Sequence, residues 1–372
     1  MLFKNYLQWH LNVQKLILLP NYCLPKGKFR TVVFCVRILW LVWVNISSIY
    51  DLQFASYFIR NYIDVGVVGN ILGIIDVIFF RLGILTLDII AISKNHCHVE
   101  FIEEVHRFEE DMDSHIDAVK IYRNFIKRYF DIFLIVMWVV FCNLAFMFFR
   151  LTNDPNINII TWYIRVIIEE CIQCFVIFYI IAFIDLISQY MTILIKNFEN
   201  SSEEINLEKL YLIEKIYNLL KTLEKLFVHM IVYFLLYHSC AATFTIYYIL
   251  RRHLGHHFTI FRIYLATFAL IALIRSAYYA FSFAFRCNKI HEKMEKLTRI
   301  VANVDFITTS HTIRLAIKQI CMGRLHERSK ITAWGFYSID LTVFTQVSAS
   351  IVTFILIIIQ FKQLEDQQKG TI

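Results

Sequence analysis

The run IITWYIRVIIEECIQCFVIFYIIAFIDLI, residues 159–187, is the longest apolar stretch of the chain. A helix needs about 20 apolar residues to cross a lipid bilayer, so this run is expected to tilt or to extend past the membrane. The 372 residues are 58% hydrophobic and only 18% charged, a composition that soluble globular proteins rarely reach. The sequence therefore predicts an all-α, polytopic membrane protein.

Six further stretches are apolar and long enough to span the bilayer. With the first run they lie at residues 31–49, 71–92, 130–149, 159–187, 226–250, 258–285 and 336–361, and are called spans 1 to 7 below. Span 2 is the least regular of them, because Asp76, Arg81 and Asp88 interrupt its apolar residues. The fold class predicted from the sequence is thus a protein with seven transmembrane helices.

The basic residues indicate the orientation of these spans. Of the 37 Lys and Arg residues, 26 fall in one alternate set of connections, at residues 1–30, 93–129, 188–225 and 286–335. Because Lys and Arg collect on the cytosolic face, the N-terminus is predicted to be cytosolic and the C-terminus extracellular. Because the basic residues cluster on one side of the membrane, the net charge of +7 does not indicate nucleic-acid binding, and we expect membrane lipid as a partner and no nucleic acid.

The segment before span 5 has the pattern of an amphipathic helix. Its apolar residues recur at intervals of three and four, at Leu207, Leu210, Ile213, Ile216, Leu220 and Leu223. Charged residues occupy the other face, at Glu208, Lys215 and Lys221. The apolar stripe needs partners, and segments 93–129 and 287–335 are the expected ones. A packed, helical cytosolic base is therefore predicted.

Three other motifs are assigned no chemistry. Cys171 and Cys174 form a CxxC motif in the middle of span 4, where they are interpreted as small buried apolar groups. The acidic run EEDMD, residues 109–113, is interpreted as a solvated face because the spacing of a calcium-binding loop is missing. The HxxHH cluster at residues 253–257 is interpreted as a solvated loop, with zinc or proton binding as the alternative. We predict no catalytic residue, metal site or cofactor.

Span 7 carries a polar stripe. Thr342, Gln346, Ala349, Thr353 and Gln360 follow one another by 4, 3, 4 and 7 residues, so they share one face of a helix. A polar side chain that faces the hydrocarbon core of the bilayer raises the free energy of the protein. Two interpretations remain open at this point: hydrogen bonds to neighbouring helices, or a water-lined pore in which this helix is repeated around an axis.

The end of span 7 resembles the C-terminal signature of the insect gustatory receptors, a family of the seven-helix insect chemoreceptor superfamily. That signature is Thr-Tyr, five hydrophobic residues and Gln-Phe. Here it corresponds to Thr353, Phe354, residues 355–359, Gln360 and Phe361, with Phe354 in place of the family's Tyr. The upstream residues that resemble the family's segment leading into the last helix are Ala333, Gly335, Phe336, Ile339 and Asp340.

The resemblance implies a taste receptor that acts as a ligand-gated cation channel, a homo- or heterotetramer opened by a small-molecule tastant in the plasma membrane of sensory neurons. It implies that Gln360, Thr353 and Gln346 line the pore and that Phe361 belongs to the gate. The implied organisation is a cytosolic N-terminal segment (1–30), a ligand-sensing region of six transmembrane helices with cytosolic extensions (31–285), cytosolic anchor helices (286–335), a pore-lining helix (336–361) and an extracellular tail (362–372).

The family's ligand pocket lies among the outer halves of spans 2 to 6. Given the predicted orientation, the aromatic and polar candidates there are Trp162, Tyr163, Glu169, His238, Tyr247, Tyr248 and Tyr264. Such side chains suit small polar-aromatic molecules, because they can both stack and form hydrogen bonds. Aromatic residues that anchor helices at the membrane interface are the alternative interpretation.

Three charged residues lie near the middle of their spans: Arg81, Glu170 and Arg275. An unpaired charge at the bilayer centre costs at least about 2.5 to 3.5 kcal/mol, so we predict that Glu170 pairs with Arg275 or Arg81. A helical transporter or membrane enzyme that uses the charges of spans 2 and 4 is the alternative function. Transporters often contain helices broken by Pro and internal repeats. The spans of this chain contain no Pro, and we find no convincing repeat.

Overall fold

The computed structural model describes residues 66–112, 157–200, 207–253, 260–303, 311–326, 331–333 and 337–370, together with scattered positions between 32 and 53 and between 133 and 147. In chain order the elements are α1 (Gly66–Ser93), α2 (Asn95–Asp111), α3 (Ile157–Asn200), α4 (Leu207–His253), α5 (Ile260–Ala302), α6 (His311–His326), β1 (Thr332–Ala333), β2 (Tyr337–Ser338) and α7 (Leu341–Gly370).

The helices confirm the prediction of an all-α membrane protein. Three described helices contain apolar segments long enough to cross a bilayer: α1 over Gly69–Leu87, α3 over Val166–Glu199 and α4 over Leu207–Ile249. These segments correspond to spans 2, 4 and 5. The described positions within spans 1 and 3 are all helical. The short antiparallel pair of β1 and β2 was not predicted.

The boundaries of the last helix differ from the predicted span 336–361. The helix begins at Leu341 and continues to Gly370, so the predicted tail is helical through that glycine. The start is set by Asp340, whose Oδ1 accepts hydrogen bonds from the backbone N–H groups of Thr342 and Val343, at 2.9 and 3.3 Å. A carboxylate in this position satisfies amide groups that lack a partner inside the helix. The end extends because Lys, Gln, Leu and Glu favour helix after residue 361.

The chain divides into two compact units. The first contains the described residues of Met1–Arg37, Asp88–His229 and Phe285–Ile339. The second contains those of Ile38–Leu87, Met230–Ala284 and Asp340–Ile372. Each unit is described by itself below.

The first unit contains the predicted helical base. The apolar stripe of α4 is buried at Leu210, Ile213, Ile216, Leu220 and Leu223, while Leu207 at its start is exposed. Helix α2 packs against α4 nearby: the ring of Phe101 on α2 contacts the ring of Phe227 on α4, with the centroids 6.4 Å apart. The amphipathic pattern thus predicted both the helix and its buried face correctly.

Polar pairs join α3 to α5 along the same base. Asp185 Oδ2 lies 2.9 Å from Arg286 Nε, and Glu199 Oε1 lies 2.7 Å from Lys296 Nζ. Between them, Lys293 Nζ donates hydrogen bonds to the carbonyl and hydroxyl oxygens of Ser188, at 2.7 and 2.8 Å. Burial and the nearby Lys289 lower the pKa of Lys293 to about 8. These contacts, at three successive positions along α5, join it to α3.

The acidic run at residues 109–113 is solvated only in part: Glu110 and Asp111 are exposed, as predicted, but Glu109 is not. Glu109 is only 7% exposed, and its Oε1 accepts a hydrogen bond of 2.8 Å from the hydroxyl of Tyr190. Asp111 forms an ion pair with Lys215. The prediction was wrong at Glu109 because the run was judged without the tyrosine that approaches it from 81 residues further along the chain.

A buried histidine joins α2 to α3 and α4. The Nε2 atom of His98 is hydrogen-bonded to the hydroxyl of Tyr179, at 2.7 Å. The imidazole also meets the rings of Tyr179 and Phe227 edge-on, at centroid distances of 5.5 and 5.9 Å. Burial lowers the pKa of His98 to about 4 from its ordinary 6.5, so the ring is neutral at physiological pH.

This histidine predicts a loss of stability in acid. Below pH 6.5 the unfolded chain binds a proton that folded His98 does not accept until the pH approaches 4. The free energy of unfolding should therefore fall by about 3 kcal/mol between these pH values. Thermal unfolding of the purified protein at a series of pH values measures this fall.

The variant His98→Gln is the control, because it keeps a hydrogen-bonding side chain but does not titrate. Acidic side chains titrate in both proteins, so the difference between the two pH profiles isolates His98. Identical profiles would contradict the prediction.

Candidate functional site

The polar stripe of α7 lies on the exposed face of that helix. Thr342, Gln346, Ala349, Thr353 and Gln360 are all exposed. Within the second unit, α7 packs through its opposite side: Ile355 is buried, and it lies about 200° around the helix from Thr353. The stripe is therefore uncovered by the described residues of its own unit.

The hydroxyl groups of α7 bond within the helix. They donate to carbonyl oxygens three or four residues earlier, from Thr345 to Thr342 and from Ser348 to Phe344, and likewise from Ser350 to Gln346 and from Thr353 to Ala349, at 2.8 to 2.9 Å. These four hydroxyl groups therefore have hydrogen bonds without a neighbouring helix. Of the four, only Thr353 belongs to the polar stripe, and its hydroxyl group finds its acceptor within α7 itself.

Apolar side chains flank the stripe just before Gln360. Leu356 is 55% exposed and Ile357 is 43% exposed, and both lie on the same broad face as Thr353 and Gln360. The sequence interpretation named Phe361 as the gate instead; its side chain lies outside the described residues. The sequence feature that could have identified Leu356 and Ile357 is their position four and three residues before Gln360, which places them beside it on a helix.

The structure places four of the ligand candidates in protein interior. Glu169 is buried in the first unit, and His238, Tyr247 and Tyr248 are buried in the second. Residues that anchor a helix at the membrane interface are expected to touch lipid, so burial disfavours that alternative for the two tyrosines. Trp162, Tyr163 and Tyr264 lie on helices, but their side chains are outside the described set.

His238 is the centre of an aromatic cluster in the second unit. Its Nδ1 lies 3.2 Å from the hydroxyl oxygen of Ser276 on α5, which is also buried. The rings of Tyr237 and Tyr279 lie with their centroids 5.0 and 5.1 Å from the imidazole. Within the described residues, His238 Nε2 is buried and has no hydrogen-bond partner. Ser276 and Tyr279 were missed by the sequence interpretation, because only the fold brings α5 to this part of α4.

Two of the three charged residues predicted to lie within the membrane, Glu170 and Arg81, have a polar or aromatic neighbour. The carboxylate of Glu170 accepts a hydrogen bond of 2.9 Å from the amide nitrogen of Asn143 in span 3. The guanidinium group of Arg81 lies 5.5 Å from the centroid of the Phe80 ring. Pairing of Glu170 with Arg275 or Arg81 stays a prediction. The signal for Asn143 was a lone amide side chain in an otherwise apolar span.

Most of the chain matches a known family. Residues 11–365 match the model of the family described as 7tm Chemosensory receptor. No curated protein sequence matches the chain.

The fold is similar to that of the insect olfactory receptor OR5 from Machilis hrabei. In complex with eugenol, that receptor superposes with a TM-score of 0.71 at 11% identity, over 96% of this chain and 98% of the other. A second structure of the same receptor gives a TM-score of 0.65 at 10% identity, with the same coverage. At these identities the likeness concerns the fold alone.

Proposed function

The chain belongs to the 7tm chemosensory receptor family, and from this we propose that it is a gustatory receptor acting as a ligand-gated cation channel. Four copies, identical or combined with related subunits, surround a central pore. A small-molecule tastant opens it, and the channel resides in the plasma membrane of sensory neurons. The number of subunits and the taste modality come from the resemblance to the insect gustatory receptors.

The exposed polar stripe of α7 is the observation that carries this proposal. A helix with Gln346, Thr353 and Gln360 on its uncovered face is unfavourable against acyl chains, because lipid offers no hydrogen bonds to the amide groups. Rotational symmetry brings the same face of every copy to one axis. The side chains then face water and one another instead of lipid.

The apolar pair Leu356 and Ile357 supports a closed state of this pore. Repeated around the axis, these side chains form a hydrophobic constriction between the levels of Thr353 and Gln360. Such constrictions stop ions by excluding water. Opening then requires α7 to rotate or move away from the axis, so that polar side chains replace the apolar ones.

The buried aromatic cluster supports the sensing of a small molecule. OR5 is described in complex with eugenol. In this chain, His238 presents a buried hydrogen-bonding atom between aromatic rings, which suits a small polar-aromatic ligand. In the second unit, we propose that Tyr247, Tyr248 and Tyr264 also contribute to ligand sensing. In the first unit, the proposed contributors are Trp162, Tyr163 and Glu169.

Current recording combined with cysteine modification tests the channel. Cells expressing the chain, alone and with related subunits, are exposed to a panel of tastants. In a responding combination, Thr353→Cys is then treated with a cationic, membrane-impermeant methanethiosulfonate during opening. We expect at least about a tenfold loss of current, because the attached positive charge stands in the cation pathway.

Ile355→Cys is the matched control, since Ile355 lies two residues further on the buried side of the same helix. Its current should survive the reagent. Equal sensitivity of the two variants, or insensitivity of both, would contradict a pore lined by the polar stripe. Absence of current in every combination would contradict the channel itself.

A further inference from the structure

Two short strands immediately precede α7. Thr332 pairs with Ser338 and Ala333 with Tyr337 in an antiparallel ladder. The backbone N–H of Ile339 also donates to the carbonyl oxygen of Ile331, at 2.8 Å. Residues 331–333 and 337–339 are called the strand pair below. Its last residue is followed directly by Asp340, which caps the first turn of α7.

The strand pair is anchored in the first unit by burial. Ile331, Ala333 and Ile339 are all at most 3% exposed. Short isolated strand pairs are marginally stable in water, so these contacts hold the pair in place. The segment that leads into α7 is therefore packed rather than a free linker.

A carboxylate from α4 binds the same segment. Glu224 Oε1 accepts hydrogen bonds from the backbone N–H of Thr332, at 3.0 Å, and from the hydroxyl of Thr332, at 2.5 Å. Hydrogen bonds to an ionised acceptor are roughly twice as strong as neutral ones. Glu224 thus links α4 to the start of the strand pair through two bonds to one residue.

The helix that carries Glu224 also carries ligand candidates. α4 is continuous from Leu207 to His253, so Glu224 and His238 lie on one helix. Glu224 is hydrogen-bonded to the strand pair, and the peptide bond between Ile339 and Asp340 connects the strand pair to α7. This is a continuous path of contacts from α4 to the start of α7.

We propose that Glu224 is a positioning residue for gating: its carboxylate couples α4 to the strand pair and so to the first turn of α7. The proposal rests on the channel function proposed above. Elements that couple two sites typically change the response by factors of a few to about thirty. Loss of the carboxylate should therefore raise the tastant concentration for half-maximal current by about tenfold.

Hydrogen exchange of the purified, full-length receptor tests the contact without requiring current. In Glu224→Ala, the amide of Thr332 should exchange at least about tenfold faster, because its hydrogen bond to the carboxylate is gone. The first turn of α7 should also exchange faster, because the strand pair that leads into it is less restrained. Glu224→Gln retains an acceptor oxygen and should restore most of the protection. Glu214→Ala, at an exposed position of the same helix, is the control and should leave exchange unchanged.

The concentration dependence of the tastant response tests the coupling. A purely structural defect lowers the maximal current with the amount of receptor at the surface but leaves the half-maximal concentration unchanged. The proposal requires that concentration to rise in Glu224→Ala, to rise less in Glu224→Gln, and to stay at the wild-type value in Glu214→Ala.

The outcomes separate the two proposals. If wild-type currents are normal and Glu224→Ala has a normal half-maximal concentration, the coupling role is overturned and the channel function stands. Unchanged hydrogen exchange in Glu224→Ala overturns the contact itself. If the wild type gives no current in any combination, the channel function fails and the gating role fails with it, whatever the exchange data show.

Discussion

Replacing Gln360 with arginine is expected to abolish cation current in cells that still carry the receptor at their surface. In the proposed tetramer the substitution places four positive charges around the pore, at the end of span 7, where they repel permeating cations. The current should therefore fall by about a hundredfold or more. Whole-cell current divided by surface-labelled receptor measures the effect.

Gln360→Glu is the matched control, because it has nearly the same size and the opposite charge. Its cation current should be retained, since a ring of carboxylates attracts cations. The contrast between the two variants depends on charge at one position rather than on packing. An arginine variant that conducts as the wild type does would show that Gln360 does not face the pathway.

Replacing Gly83 with alanine is expected to destabilise the folded receptor and lower its amount at the cell surface. A Cβ atom at Gly83 would overlap the hydroxyl oxygen and the Cζ atom of Tyr233 on α4. The tyrosine is held in place, because its hydroxyl donates to the carbonyl oxygen of Phe79 at 2.9 Å and its ring stacks on Tyr237 with centroids 6.1 Å apart. Overpacking of this kind typically costs 1 to 3 kcal/mol and occasionally more, and displacement of the ring would also break the hydrogen bond.

Surface labelling and gel filtration in detergent measure this effect, and we expect at least about a tenfold loss of monodisperse receptor at the surface. Leu82→Ala is the control, because Leu82 is the preceding residue of α1 and is 52% exposed. Adding Tyr233→Ala to the Gly83→Ala variant should recover part of the loss by removing the overlapping ring. Normal surface levels of Gly83→Ala would contradict the close packing of α1 against α4.

Local patterns predicted a large part of this molecule. The membrane class follows from composition, and the buried face of α4 follows from apolar residues spaced by three and four, because both depend on residues that are neighbours in the sequence. The stripe of α7 was also visible as a spacing. The sequence could not show that this stripe stays uncovered, since that depends on which side of α7 meets the second unit, where Ile355 is buried.

Contacts between distant segments were beyond the reach of such patterns. Glu109 was assigned to a solvated face, whereas Tyr190 from α3 buries it and donates a hydrogen bond to it. Gly83 carries no signal in the sequence, because its importance arises from Tyr233, 150 residues further along the chain. Glu224 likewise reads as one more charge on an amphipathic helix until the fold brings Thr332 to it.

The sequence by itself determined that the chain crosses the membrane as helices and which faces of those helices are apolar. Both properties depend on the number and spacing of apolar residues along one segment, so they can be recognised without knowing what that segment packs against. The tertiary structure alone decided which polar atoms of distant segments meet: Ser276 with His238, and Thr332 with Glu224. Hydrogen bonds require two atoms within about 3 Å in a fixed direction, and only the packing of segments remote in sequence brings such atoms together.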